Sequence, residues 1–67
     1  MTTRPTLATL LRKGDRIVDT DGTVGTIITN PMTPKRRPGH VTFLVAANGT
    51  NYNVTVPELD RLNRESN

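Results

Sequence analysis

The chain has 67 residues, no cysteine and a net charge of +3, which makes it one small domain near the lower size at which a single core holds unaided. The missing cysteines exclude a disulfide framework and a thiolate metal site, and no apolar run approaches the ~18 residues of a membrane span. The N-terminus carries no signal-peptide apolar stretch, so a cytoplasmic protein is expected, with oligomerisation or a partner as the source of any extra stability.

Charge is distributed unevenly. No acidic residue lies between Asp21 and Glu58, yet Lys35, Arg36 and Arg37 fall inside that interval. Elsewhere six basic residues (Arg4, Arg12, Lys13, Arg16, Arg61, Arg64) meet six acidic ones, so the formal excess resides in one tripeptide.

Residues 1–5 have no periodicity and are expected as a loose tail. Thr6 is placed to cap a short helical turn carrying Leu7, Leu10 and Leu11, stopped by Gly14, with the leucines covering one end of the core. Asp15 to Ile28 reads as a hairpin. A three-residue loop of Thr20, Asp21 and Gly22, with Gly22 in the left-handed position of a bulge, pairs Asp19 with Thr23 and Ile17 with Gly25. Ile17 and Ile27 then share one face, and Val18, Val24 and Ile28 the other. Gly25 suits a bend or a close approach.

Asn30 to Gly39, NPMTPKRRPG, is a restricted loop, because its prolines remove donors and fix φ. His40 to Val56 is the strongest hairpin signal, folded at Asn48 and Gly49, the pair that best tolerates the positive φ angles of a type I′ turn. That turn pairs Ala47 with Thr50, Val45 with Tyr52, Phe43 with Val54 and Val41 with Val56 on one apolar face. Pro57 to Leu59 reads as a helical turn with Pro at its first position, returning Leu59 and Leu62 to the core, with a short closing strand at residues 61–63 as an alternative. Residues 64–67 are expected as a second tail. The sum is an all-β domain spanning 1–67, a small SH3-like barrel of about five antiparallel strands with short helical turns near both ends.

At Lys13, Gly14, Asp15, Ile17, Gly22, Val24, Gly25 and Ile27 the wording KGDRI…DGTVGTI resembles the KOW motif of SH3-like barrels. The resemblance implies a curled antiparallel sheet and, as in many relatives, contact with RNA, DNA or a transcription or translation machine. KOW segments are commonly basic around the second glycine, where this chain has Thr23, Val24 and Thr26, so contact is expected elsewhere than at this hairpin. Tudor-type barrels resemble the same architecture but need an aromatic cage. Phe43 and Tyr52, the only aromatic residues, both fall on the predicted core face.

No enzyme is expected. Ser66 is the only serine and His40 the only histidine, so no nucleophile and base stand together. Asp15, Asp19 and Asp21 lack the further oxygen ligands of a calcium loop; Asp21 is assigned to turn formation, and the others to solvent or to Arg16. The sequons at Asn48 and Asn53 are read as turn and strand chemistry. Neither a cofactor, a metal nor a small-molecule substrate is expected.

What remains is Lys35, Arg36 and Arg37 on a stiff loop, with His40 at its edge and Arg12, Lys13 and Arg16 as supporting cations. Guanidinium groups suit phosphate geometry, and a restricted loop loses less entropy on docking. The expected function is a small accessory protein binding the backbone of duplex or structured nucleic acid. The alternative is a protein-interaction or assembly module, such as a small phage- or plasmid-type regulator or a homo-oligomer. Its anchors would be edge strands and Leu7, Leu10, Leu11, Leu44, Val18 and Ile28.

Overall fold

The computed structural model describes residues 2–66. Six antiparallel strands form one sheet: β1 (Thr2–Leu7), β2 (Arg16–Val18), β3 (Val24–Ile27), β4 (His40–Ala47), β5 (Thr50–Pro57) and β6 (Arg61–Ser66), in the order β1-β6-β2-β3-β4-β5. The sheet does not close, and β1 and β5 are its edges.

Both hairpins take the predicted registers. Asn48 (φ 52°) and Gly49 (φ 75°) supply the two positive φ angles, and the ladder runs from Ala47↔Thr50 to His40↔Pro57. In the first hairpin Ile17 pairs with Gly25 and Val18 with Val24, and Asp19 N–H donates to Thr23 C=O at 2.8 Å. Gly22 (φ 89°) closes the loop by donating to Asp19 C=O at 2.9 Å.

Alternation then builds the core. Ile27, Val41, Phe43 and Val45 are buried on one face, with Ile17, Val54, Val56 and Leu62 packed partly against them. Burying a side chain such as Phe43, only 2% exposed, contributes about 1.5–3 kcal/mol. A 3-10 turn at Ala8–Leu10 follows β1 and plugs this core with Ala8 and Leu11, held by Ala8 N–H donating to Asp60 C=O at 2.9 Å.

The β3–β4 pairing carries a bulge. From Ile27 to Met32 the chain takes five steps against three on β4, Val45 to Thr42. Thr29 sits in the excess, and its Oγ1 accepts Leu44 N–H at 2.9 Å, replacing a missing ladder bond. Thr42 exchanges bonds of 2.8 and 2.9 Å with Met32, and Leu44 C=O accepts Ile28 N–H at 2.9 Å. The main-chain groups of Thr42 and Leu44 thus point toward β3. Those of their β5 partners Thr55 and Asn53 point to the open edge.

Several expectations are corrected. The sheet has six strands rather than about five. Residues 2–5 and 64–66, expected as tails, lie in β1 and β6, which pair from Thr2↔Ser66 to Leu7↔Arg61; Met1 and Asn67 lie outside the described residues. Each end satisfies the other's main chain, a non-local effect. Thr6 caps nothing: its hydroxyl donates to Arg4 C=O at 3.1 Å, and no side chain caps the 3-10 turn. Pro57 to Asp60 is a tight turn closed by Asp60 N–H to Pro57 C=O at 3.0 Å, not a helical one. It leaves Leu59 80% exposed, and Leu10 likewise faces outward. Tyr52 is 50% exposed, although its face is the core face. It lies on the edge strand β5, beside buried Val45 but with no further strand to cover the ring.

Candidate functional site

The basic loop is built by its proline pattern and fastened at both ends. Met32 anchors its start to Thr42, and Gly39 C=O accepts Glu58 N–H at 2.8 Å near its end. Two internal turns fold it, with Arg37 N–H donating to Pro34 C=O and His40 N–H to Arg37 C=O, both at 3.2 Å. Lys35, Arg36 and Arg37 are exposed, and among the described residues none of them forms an ion pair. His40 Nδ1 stands 3.3 Å from Pro38 C=O, so the ring packs back on the loop's own backbone.

The supporting cations have other attachments. Arg12 Nη1 donates to the carbonyls of Thr9 (2.8 Å) and Leu11 (2.7 Å). Lys13 N–H donates to Asn30 Oδ1 at 2.8 Å, tying the turn after Leu11 to the start of the basic loop while its ammonium remains outside. Arg16 pairs with Glu65 at 3.3 Å rather than with any of the three aspartates. The Glu65 side chain is 6% exposed and its Oε2 has no hydrogen-bond partner, so Arg16 is the group that neutralises it. Arg16 therefore serves the fold first.

The aspartates are occupied separately. Asp15 Oδ2 accepts Arg12 N–H at 2.9 Å, and its Oδ1 lies 3.8 Å from Arg64. Asp19 accepts Thr20 N–H at 2.6 Å. Asp21 Oδ1 accepts Thr23 N–H at 2.9 Å, and hydrogen bonding from Thr23, its backbone N–H first and its hydroxyl second, holds the carboxyl below its ordinary range. Among the described residues no group of three His, Cys, Asp or Glu side chains is placed to hold a metal ion, and no helix is long and apolar enough to cross a membrane.

Two features escaped sequence reasoning. Arg4 and Arg64 are direct partners across β1 and β6, a like-charge juxtaposition that Asp15 offsets. Their separation by sixty residues leaves no local signal. The second is an open groove of about 680 Å³ between the two hairpin tips and β6. Ile17, Val45, Val54 and Leu62 give it an apolar lining, to which Tyr52 adds an aromatic ring and Asp19 and Asp21 carboxylates. Compared with known proteins, the chain matches no protein-family model, no curated protein and no solved structure.

Proposed function

We propose that this chain is a small, non-enzymatic, SH3-like accessory protein that grips the phosphate backbone of duplex or structured nucleic acid through Lys35, Arg36 and Arg37. The observation that carries this reading is the three exposed cations, without acidic partners among the described residues, on a loop already fastened by Met32 and Gly39. Little ordering entropy remains to be lost when such a loop docks. The KGDRI…DGTVGTI hairpin supports the same reading through its likeness to KOW segments.

Contact is mainly electrostatic. Single-strand binders lay bases on exposed aromatic platforms, whereas Phe43 is buried and Tyr52 stands alone in the groove. Lys13 is the supporting cation best placed to add to the loop, through its tie to Asn30. Arg12 is held by neighbouring carbonyls and Arg16 by Glu65.

The test is a salt titration against duplex DNA and an RNA hairpin. Three neutralised phosphates give a slope of log K against log salt of about −2.7 on duplex DNA. Replacing Lys35, Arg36 and Arg37 by Ala removes the binding and leaves the unfolding midpoint unchanged. Absence of binding at low salt, or binding indifferent to the triple substitution, overturns the reading.

A further inference from the structure

We infer that β5 is a self-association edge, along which two copies of this chain pair antiparallel about Asn53. The proposal goes beyond the phosphate-binding reading and does not depend on it.

Sheet edges offer unpaired N–H and C=O groups, and proteins that keep an edge free protect it with charge, proline, a bulge or a short strand. The two edges of this sheet differ in that respect. β1 carries Arg4 and Pro5. β5 runs for eight residues, TNYNVTVP, with no charged side chain, no bulge in its register and proline only at its last position. Asn51, Tyr52, Asn53 and Thr55 are all exposed.

The bonding pattern fixes which groups are offered. Thr42 and Leu44 spend their main-chain groups on Met32, Ile28 and Thr29, so their partners Thr55 and Asn53, and Asn51 by the same alternation, face outward. Antiparallel pairing centred on Asn53 places Asn51 opposite Thr55 of the second copy and satisfies about six N–H···O bonds. The same register puts Tyr52 opposite Val54 on the inner face, an aromatic and β-branched cross-strand pair. Both residues line the groove, so the second copy covers its β5 flank and the half-exposed Tyr52 ring.

Charge selects a second copy as the occupant. A strand without charge meets its own image with no like-charge contact, and it offers nothing to recognise an acidic or basic peptide. The net charge of +3 does not oppose this pairing. The basic loops adjoin the Pro57 ends, which lie eight residues and about 27 Å apart in the paired strands, well beyond a Debye length of ~8 Å.

Sedimentation equilibrium of the purified chain without nucleic acid, read together with amide hydrogen exchange, tests the proposal. The expected mass is twice 7.4 kDa, with the Asn51, Asn53 and Thr55 amides protected. Asn53→Lys places two ammonium groups across the symmetry axis and weakens dimerisation roughly 100-fold. It exposes those three amides to exchange while Tyr52 and Val54 amides, bonded to β4, stay protected and report an intact hairpin. Asn51→Pro, which removes an outward-facing N–H and leaves the ladder to β4 untouched, blocks the same pairing should Asn53→Lys fail to fold. A monomer at millimolar concentration overturns the proposal, as does a dimer whose outward β5 amides exchange freely or that survives both substitutions.

Discussion

Val45 Cγ1 occupies the space that a Cβ on Gly25 would need. Gly25 sits on β3 opposite Ile17, and Val45 reaches across from β4 to cover it, so the missing side chain is what lets the two hairpins pack into one core. Gly25→Ala is expected to lower stability by about 1–3 kcal/mol through overpacking, read as a lower urea midpoint at unchanged slope. Adding Val45→Ala to it should cost less than the sum of the two single losses, because each substitution relieves the other's misfit. Strict additivity would show that the contact is not the cause.

Arg16 should matter to stability rather than to ligand affinity. Breaking its contact leaves the Glu65 carboxylate enclosed and unneutralised. Because Arg16 is itself half exposed, the loss on Arg16→Gln is set at about 1–2 kcal/mol, below the 3–5 of a fully buried pair. Glu65→Gln introduced alongside should recover most of it. The salt slope of nucleic-acid binding should be the same for Arg16→Gln and the parent chain, which a fluorescence titration at several salt concentrations would check.

Asp21 links the first hairpin to pH. Its folded carboxyl is held below the ordinary 3.8 by the hydrogen bonds from Thr23. The contribution is therefore fully present above that ordinary value and is lost as pH falls through the depressed one. An NMR titration should place the Asp21 midpoint below 3.8, with the Thr23 amide losing its hydrogen-bond shift over the same interval. Asp21→Ala should abolish that coupled change and speed exchange at the hairpin tip.

The two hairpins were legible because local chemistry fixes them. Asn48 and Gly49 admit one turn, Gly22 admits one bulged loop, and in each case the apolar alternation agrees with a single register. TTRPTL and RLNRES contain no such alternation. They become strands because each supplies the other's main-chain partners, and β6 in turn joins β2. The same distance hid the commitments of Arg16 and the meeting of Arg4 with Arg64, which arise only once β6 lies beside β1 and β2. At the basic loop the sequence indicated the restriction but not the fastening, since Gly39 is held by Glu58 from beyond the second hairpin. Tyr52 shows the remaining limit: alternation assigns a side chain to a face, whereas exposure depends on where the packed layer ends.

The central place of β6 also governs when the fold can be finished. Residues 61–66 are the last described part of the chain, yet β1 touches the rest of the sheet through them. During synthesis the two hairpins can zip as soon as they emerge, while Thr2–Leu7 must wait, its edge unsatisfied, until residues 61–66 have emerged as well. A nascent or shortened chain lacking residues 61–66 would expose both that strand and the flank of β2. Protease sensitivity at Thr2–Leu7 should therefore rise sharply on that truncation, even where the second hairpin stays protected.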